Sequence, residues 1–161
     1  MLEIRKASEA DKPEVWEIIK AVIATGDTYV FAPASPKEKM LAYWFAADKQ
    51  TYVALWENKI VGTFFLKDNQ PDLGSHIVNA GYMVAPDAKG KRVGRAMAEF
   101  SLEEARRLGY RAMQFNFVVK SNEVAVKLWI NLGFEIIGEI PEAFADARGG
   151  LTNAYIMYRK L

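Results

Sequence analysis

The spacing of apolar residues predicts a strand followed by a helix at the start of the chain. Leu2 to Lys6 alternates apolar and polar side chains, as a half-buried strand does. Ser8 is a typical N-cap, with Asp11 placing an acidic side chain in the first turn, and Gly26 can end the helix. One helical face between these two ends is apolar throughout and is formed by Val15, Ile18, Ile19, Val22 and Ile23.

A second helix and a series of strands follow. The sequence Ser35-Pro36-Lys37-Glu38 is a capping box with proline at the first helical position, which predicts a helix through Ala46. On the later helices we expect Val93, Met97, Phe100 and Leu108, and then Val124, Leu128 and Leu132, to face inward. The remaining elements are predicted as strands at 51–56, 60–67 and 76–84, a helix at 93–108, a strand at 112–119, a helix from Ser121 to Gly133, and strands at 134–137 and 153–159.

This order, β-α-α-β-β-β-α-β-α-β-β, indicates the fold class. Short connections such as Glu57-Asn58-Lys59 predict antiparallel hairpins, whereas the strand–helix–strand unit around residue 100 makes its two strands parallel. We therefore expect an α/β fold with a mixed, mostly antiparallel central sheet and helices on both faces. Because no linker or internal repeat is visible, residues 1–161 are interpreted as a single domain.

Composition narrows the function classes. The chain has no cysteine, which excludes disulfides, zinc–thiolate sites and a cysteine nucleophile. With 21 Lys+Arg against 20 Asp+Glu, the net charge is +1, so no overall field attracts nucleic acid or anionic lipid. No apolar run approaches the length that spans a bilayer, and no signal peptide is visible. We expect no nucleic-acid or membrane partner, no bound metal and, by default, a cytoplasmic location.

The loop from Val84 to Ala96 carries the clearest chemical signal. A strand ends near Pro86, a turn rich in glycine and basic residues follows, and a helix begins at Val93. Unpaired N–H groups at a helix start attract anions, and glycine lets a ligand approach the backbone. The dense cationic cluster there consists of Lys89, Lys91, Arg92 and Arg95. The stretch is interpreted as a pyrophosphate cradle, with a solvated basic turn as the alternative; it matches neither a Walker P-loop nor a dinucleotide fingerprint.

This stretch resembles the acetyl-CoA motif of the GNAT superfamily of N-acetyltransferases, Val-x-Pro-x-x-Arg-Gly-x-Gly-x-Gly-x-Ala. Val84, Pro86 and Gly90 match it, as do Gly94, Arg95 and Ala96 at the end of the motif. Two positions depart from it. Lys89 replaces the usual Arg or Gln and lacks its planar fork. Arg92 replaces the first motif glycine, so we expect it to take an ordinary right-handed or extended conformation, with its side chain outward towards the cofactor's 3′-phosphate.

A second signature lies at the distance that this family leads one to expect. Residues 121–134 resemble the pattern Asn-x-x-Ala-x-x-Leu-Tyr-x-x-x-Gly-Phe, with matches at Asn122, Ala125, Leu128, Gly133 and Phe134. The resemblance implies that Asn122 bonds the pantetheine or phosphate arm of CoA; a helix cap is its alternative role. Trp129 replaces the tyrosine that, in many relatives, protonates the departing thiolate. Indole cannot do so, although it can donate a hydrogen bond to sulfur or serve simply as a core aromatic.

The resemblance also implies how acetyl-CoA binds and reacts. The cosubstrate lies where the parallel strands 76–84 and 112–119 splay apart, and backbone groups near Met83 and Val84 pair with its pantetheine amides. The cofactor-binding set is expected to be Met83, Val84, Lys89, Gly90, Lys91, Arg92, Val93, Gly94, Arg95, Ala96, Asn122 and Trp129. The acceptor amine then attacks the thioester directly, aligned by the site and aided by a backbone N–H as oxyanion donor.

The acceptor side is less defined. His76 is the single histidine, but its place at a strand start favours a structural or surface role. Tyr82 and Asn79 lie on the same strand, nearer the reaction. Tyr82 and Asn116 are the candidate catalytic residues, and a water chain could replace a side-chain base. Asn116 stands in the otherwise apolar Phe115-Asn116-Phe117-Val118-Val119, so we expect a buried amide that faces the gap and bonds substrate or, alternatively, neighbouring backbone.

Shorter segments are similar to fungal acetyltransferases that act on L-azetidine-2-carboxylate and proline-like amino acids. They are Gly26-Asp27-Thr28-Tyr29, Tyr82-Met83-Val84, Phe115-Asn116 and Ser121-Asn122-Glu123. The similarity implies that Asn116 and Asn153 hold the acceptor amino acid and that Thr28 and Tyr29 wall its pocket.

The sequence therefore predicts acetyl transfer to a small-molecule amine, with an amino acid or amino-acid analogue as acceptor. Two further hypotheses stay open. One is a protein acetyltransferase acting on an N-terminal amine or lysine, for which residues 141–150 would border a peptide groove rather than cover a pocket. The other is a non-catalytic CoA-binding module, which the missing tyrosine favours. Dimers are common in the superfamily, and aromatic residues such as Trp44, Phe45 and Phe144 could cover a homodimer face or, equally, lie in the core.

Overall fold

The computed structural model describes residues 1–88 and 90–161 and has the predicted order of elements. Across these ranges no helix combines the length and hydropathy needed to cross a bilayer. The strands are β1 (Leu2–Lys6), β2 (Lys49–Trp56), β3 (Lys59–Asp68), β4 (Ile77–Val84), β5 (Ala112–Val119), β6 (Glu135–Ala145) and β7 (Leu151–Lys160). The helices are α1 (Lys12–Ala24), α2 (Lys37–Trp44), α3 (Val93–Arg107) and α4 (Glu123–Asn131).

Two of the predicted helix details are wrong. Pro36, rather than Ser35, is the N-cap of α2, and the Ser35 hydroxyl donates back to the Ala32 carbonyl at 2.7 Å, so no capping box forms. On α4, Val124 is 82% exposed, whereas Trp129 is buried. The inward face of α4 is therefore set by Ala125 and Trp129, four residues apart, with Leu128 and Leu132 only half-buried beside them.

The strands form one seven-stranded sheet in the order β1-β2-β3-β4-β5-β7-β6. All neighbours are antiparallel except β4 and β5, whose connection through α3 makes them parallel. The β2–β3 hairpin turns on Glu57 and Asn58, both with positive φ, which is the geometry of a tight two-residue turn. The predicted mixed, mostly antiparallel sheet is confirmed.

Helices cover both faces of the sheet, as predicted. Adjacent residues of β3 show this, because successive side chains on a strand point to opposite faces. Phe64 stacks on Tyr52 and contacts Phe100 of α3, with ring centroids 4.7 and 6.2 Å away. Phe65 meets Trp44 of α2 edge-on at 4.9 Å. The core thus has an α1–α2 layer and an α3–α4 layer, separated by the sheet.

The C-terminal hairpin is longer than the sequence predicts. The β6 strand extends to Ala145 instead of ending near residue 137, and it is interrupted by irregular pairing around Gly138 and between Ile140 and Phe144. Residues 141–145, expected as part of a loop, therefore belong to a strand. The turn after β6 returns to α1, where the Ala147 N–H donates to the Gly26 carbonyl at 3.0 Å.

Candidate functional site

The two parallel strands separate after a short ladder. Only Ile77–Ala112 and Val78–Met113 are paired; beyond them β4 and β5 diverge. Regular continuation would bring the Ala80 N–H to the Gln114 carbonyl. That carbonyl instead accepts from the side-chain amide of Asn79 at 3.0 Å. A side chain thus ends the ladder and leaves a gap on the β5 side of β4.

The register of β4 determines which backbone groups face this gap. Bonds from Asn69 N to Ile77 O and from Ala85 N to Val61 O direct the odd-numbered residues of β4 towards β3. The peptide groups alternate in direction along an antiparallel pair, so those of Ala80, Tyr82 and Val84 face the gap. Met83, predicted together with Val84 to pair with the cosubstrate, is buried, and its backbone pairs with Thr63 instead.

An aromatic wall closes the gap on the α3–α4 side. The buried Trp129 indole packs on Phe115 at 4.4 Å and on Tyr82 at 5.0 Å between ring centroids. The hydroxyl of Tyr82 hydrogen-bonds Ser101 at 2.7 Å. Desolvation raises the pKa of Tyr82, and the bond to Ser101 offsets this only in part. Tyr82 therefore stays protonated at neutral pH and is a poor general base.

The start of α3, which follows β4, has backbone donors that no carbonyl of the helix accepts. Its first helical bond runs from the Ala96 N–H to the Arg92 carbonyl, so the N–H groups of Val93, Gly94 and Arg95 have no partner within the helix. Among the described residues, a Cβ on Gly94 would meet only Val84 Cγ2, at 3.7 Å, and a Cβ on Gly90 would meet nothing within 4 Å. These residues leave space at both glycines, which suits the approach of a phosphate-bearing ligand.

The basic residues of this loop differ from expectation in one respect. Arg92 has φ 58° and ψ 28°, the left-handed conformation that glycine prefers, so the predicted right-handed or extended backbone is wrong. Its side chain is exposed, as predicted. Lys91 is exposed near the Trp56 ring, and Arg95 pairs with Glu99 at 2.8 Å. Lys89, the remaining predicted cation, lies outside the described residues.

Asn122 has the helix-capping role that the sequence left open. It is the N-cap of α4, and its side-chain oxygen accepts from the Ala125 N–H at 3.4 Å. Asn122 lies at the end of α4 that follows β5, so it stands near the open end of the gap. Capping uses the oxygen and leaves the amide NH₂ as the group that a ligand could meet.

On the opposite face, Tyr29 reaches the edge of β4. Its hydroxyl accepts from the Tyr82 N–H at 2.9 Å and donates to the Tyr82 carbonyl at 2.8 Å. Desolvation raises the pKa of Tyr29, so the hydroxyl keeps the proton that it donates. The Tyr29 ring also lines a cavity of about 220 Å³, with walls supplied by the neighbouring loop and by the β6–β7 hairpin. The other lining residues are Gly26, Val30, Phe31, Ala32, Pro33, Ala143, Phe144, Ala145 and Ala147.

Asn116 is not the buried amide that the sequence predicts. Asn116 and Phe117 form an irregularity where β5 departs from its register with β7, and Asn116 is exposed. Its amide nitrogen donates to Asn69 at 2.6 Å, and its oxygen accepts from Gln114 at 3.0 Å. The bulge turns a residue of an apolar strand outward, which strict alternation could not predict.

The remaining predicted acceptor residues are dispersed. Asn153 accepts from the Glu142 N–H at 2.8 Å and donates to Glu139 at 2.6 Å, so both ends of its amide stabilise the irregular β6–β7 pairing. Thr28 is half-buried beside Tyr29 but does not line the cavity. His76 lies next to the paired end of β4 and β5, where its carbonyl accepts from the Arg111 N–H. The gap therefore brings together Tyr29, Tyr82 and Trp129, and not Asn153 or His76.

These features correspond to a known family. Its model, the acetyltransferase (GNAT) family, matches residues 16–134, which contain α2, α3, α4, the gap and both sequence signatures. The chain belongs to the GNAT family. The splayed strands and the glycine-containing turn both lie within the matched region.

Individual relatives agree with this assignment. The N-acetyltransferase aca1 of Schizosaccharomyces pombe is 35% identical over 112 residues, which cover 69% of this chain and 54% of that protein. A mycothiol acetyltransferase of Geodermatophilus obscurus is 33% identical over 95 residues, covering 56% of this chain and 30% of that protein. The chain thus spans about half the length, or less, of these curated relatives.

Solved structures match over nearly the whole chain. A GCN5-related N-acetyltransferase from Kribbella flavida has a TM-score of 0.94 and 36% identity, covering 99% of this chain and 98% of its own. The yncA protein of Salmonella typhimurium, solved with acetyl-CoA, has a TM-score of 0.88 at 22% identity and covers 100% and 94%. The first similarity extends to sequence, and the second shows the shared GNAT fold.

Several residues of the GNAT gap were given no role from the sequence, which placed Asn79 near the reaction but assigned it no contact. Asn79 ends the ladder, and Asn69 and Gln114 hold Asn116. Phe144, in the cavity wall, lies 6.3 Å from Phe117 between ring centroids. A usable signal existed only for Asn79 and Gln114, which are amides at equivalent positions of the two predicted parallel strands. Asn69 and Phe144 come from regions whose local pattern predicts a loop.

Proposed function

We propose that this domain transfers the acetyl group of acetyl-CoA to the amine of a small molecule, with an amino acid or amino-acid analogue as acceptor. The observation that carries the proposal is the adjacency of two spaces. One is the gap beside β4, with unpaired N–H groups at its end, and the other is the 220 Å³ cavity behind Tyr29. Because the cavity is small and walled by the β6–β7 hairpin, it suits a compact acceptor better than an extended peptide.

In this proposal, the start of α3 binds the cosubstrate's pyrophosphate. Val93, Gly94 and Arg95 supply N–H donors, and nearby cations supply charge. The gap edge of β4 pairs with the amides of the pantetheine arm, which acetyl-CoA carries next to the thioester. The full proposed set remains Val84, Lys89, Gly90, Lys91, Arg92, Val93, Gly94, Arg95, Ala96, Asn122 and Trp129, whereas Met83 acts only through its packing.

In this mechanism, the residues of the chain mainly position the acceptor amine and the thioester, and none of them takes the amine proton. The amine nitrogen forms a bond to the thioester carbon, the carbon–sulfur bond breaks, and the amine proton passes to water. Tyr82 is set aside as base because its hydroxyl is held by Ser101 and its pKa is raised. The aromatic wall of Trp129, Phe115 and Tyr82 excludes water from one side. Rate should therefore rise with pH as more of the acceptor amine is deprotonated.

Asn116 is retained as an acceptor-orienting residue. It lies on the strand that borders the gap, is exposed, and has an amide already aligned by Asn69 and Gln114. A carboxylate or amine of the acceptor could bond to it without burying an unpaired group. Thr28 and Asn153 are kept only as distant supports, Thr28 for the Tyr29 segment and Asn153 for the hairpin. A cytoplasmic location and a homodimer remain predictions.

The test is release of CoA thiol from acetyl-CoA over a panel of acceptors. It should include proline, azetidine-2-carboxylate, aliphatic primary amines, and peptides with a free N-terminus or a lysine. We expect turnover on at least one compact amine and none on peptides. For that acceptor, Asn116→Ala should lower kcat/KM by about 10- to 200-fold, the scale of one hydrogen bond of roughly 1–3 kcal/mol.

The control is Asn153→Ala, which removes an asparagine amide from the neighbouring strand β7 and should lower stability more than specific activity. Turnover only on peptides would replace the proposal by protein acetylation. Binding of acetyl-CoA without turnover on any amine would support a non-catalytic CoA-binding module, which is the hypothesis that an indole in place of the tyrosine hydroxyl favours.

A further inference from the structure

The hydroxyl of Tyr29 occupies an unusual place for a side chain. It accepts a hydrogen bond from the Tyr82 N–H at 2.9 Å and donates one to the Tyr82 carbonyl at 2.8 Å. The hydrogen bonds at Ile77 and Ala85 show that the peptide groups of the odd-numbered residues of β4 point towards β3. Those of Tyr82, an even-numbered residue, therefore point away from β3. They therefore belong to the edge that β5 would have paired with had the two strands stayed together.

The neighbouring residues are adapted to this contact. A Cβ on Gly81 would lie 2.7 Å from the Phe65 ring and 3.3 Å from the Tyr29 hydroxyl, so a side chain there would clash with Phe65 and crowd the tyrosine hydroxyl. The ring of Tyr29 stacks near Phe31 and meets Trp44 at 6.3 Å, which anchors it on the α2 side. The Tyr29 hydroxyl thus makes the hydrogen bonds that a paired β5 strand would have made with Tyr82. In the same way, the side-chain amide of Asn79 donates to the Gln114 carbonyl in place of the Ala80 N–H.

We propose that the Tyr29 hydroxyl is a displaceable placeholder that competes with acetyl-CoA for the peptide groups of Tyr82. The proposal rests on the proposed function, since it needs the cosubstrate to bind along the gap edge of β4. Binding there must release the hydroxyl, and because Tyr29 also lines the 220 Å³ cavity, its release changes the wall of the acceptor pocket. Tyr29 is then a positioning residue that connects the cosubstrate gap to the acceptor cavity.

The proposal is tested with Tyr29→Phe, which removes one oxygen and keeps the ring packing. We expect acetyl-CoA to bind about three- to tenfold more tightly by calorimetry, because the competing hydroxyl is gone. The Tyr82 amide of the free protein should also exchange hydrogen faster than in wild type, and acetyl-CoA should slow it again. Tyr43→Phe is the matched control, since Tyr43 lies in the same aromatic group, 4.9 Å from Phe31 and 6.0 Å from Phe65; it should change neither readout.

Equal or weaker acetyl-CoA binding by a folded Tyr29→Phe variant, with wild type binding normally, would overturn the placeholder role and leave Tyr29 as a fold anchor. Unchanged exchange at the Tyr82 amide in the free variant would overturn it too, and this readout needs no ligand. Failure of wild type to bind acetyl-CoA would instead refute the proposed function, and the competition with it. The two failures are therefore distinguishable by the wild-type measurement alone.

Discussion

The two sides of the gap differ in how their polar groups are satisfied. At the start of α3, three backbone N–H groups lack helical partners, and two glycines leave space that none of the residues outside position 89 fills. On the α1–α2 side, the polar groups already bond one another: Tyr29 with Tyr82, and Asn116 with Asn69 and Gln114. The first region therefore offers donors and open space to a ligand, whereas the polar groups of the second are already paired within the protein.

This difference explains why the cosubstrate can be inferred and the acceptor cannot be named. A backbone site is defined by chain direction and by the absence of a side chain, which few other roles require. Side-chain amides that pair with each other serve the fold as well as a ligand. The acceptor must displace or extend existing hydrogen bonds. The feature that indicates which acceptor fits is therefore the shape of a small cavity.

The largest effect on acetyl-CoA binding is expected for Gly94→Ala, which tests whether the start of α3 differs from the α1–α2 side in being open to a ligand. Within the part of the chain that the structure describes, the new Cβ contacts only Val84, so alanine should stabilise α3 by up to about 1 kcal/mol through its better helix propensity. The same methyl fills space in front of the unpaired N–H groups. We expect acetyl-CoA affinity to fall at least about tenfold, or 1.4 kcal/mol. Calorimetric titration together with thermal unfolding measures both changes.

Gly109→Ala gives the matched contrast at the other end of α3. Gly109 has φ 90° and open space around its Cβ position, so alanine should cost about 1–2 kcal/mol of stability through backbone strain. Its distance from the gap should leave acetyl-CoA affinity unchanged. If Gly94→Ala binds acetyl-CoA as wild type does, the open space at α3 is not a ligand site.

The sequence predicts the fold better than the site, because the fold follows from a repeated hydrophobic pattern and the site depends on single residues that depart from it. Hydrophobic periodicity gave every helix and strand in order, since burial of one face is a local and repeated requirement. It failed where one residue departs from the repeat. The bulge at Asn116 and the irregular pairing of β6 both change which face a residue occupies, and neither leaves a mark in the pattern.

Within the candidate site, the sequence could propose a role for the α3 loop because that role would depend on backbone and glycine. The contacts of Tyr29, Asn69 and Asn79 could not be predicted, since each bond joins residues 35 or more positions apart. The sequence placed Tyr29 in the acceptor wall, but nothing in it indicated a bond to the β4 backbone. Such long-range side-chain bonds follow from the register of the sheet, which periodicity does not specify.

A smaller effect is expected for Trp129→Phe, which asks whether the aromatic wall acts chemically. The indole is buried against Phe115 and Tyr82, so the smaller ring should lower stability by about 1–2 kcal/mol. We expect kcat to fall less than about tenfold, because water or hydrogen bonds can assist the departing thiolate. Steady-state kinetics on the acceptor found in the panel measures this.

Trp44→Phe controls for lost packing. Trp44 is also buried, and its indole N–H donates to Thr63 at 3.0 Å on the other face of the sheet. It should cost at least as much stability without a specific loss of kcat. A fall in kcat of more than about a thousandfold for Trp129→Phe alone would exceed the usual contribution of one proton-transfer group. The indole would then be essential to the reaction.

The smallest effect is expected for Arg92→Gly, which tests whether the cosubstrate side stores backbone strain. Arg92 is held at φ 58°, where a residue with a Cβ is strained by roughly 1–2 kcal/mol. Glycine removes that strain, but its greater freedom in the unfolded chain offsets about 0.4–1 kcal/mol. The net gain should therefore lie between zero and about 1.6 kcal/mol, which corresponds to a rise in Tm of at most roughly 6 °C for a domain of this size. The neighbouring Lys91→Gly removes the same charge at a position without positive φ, so it should lower Tm instead. Equal changes of Tm in both variants would mean that charge, and not the left-handed backbone, sets the stability of this loop. Opposite changes of Tm would show that arginine stands at position 92 despite its backbone strain, as expected if its side chain serves the ligand.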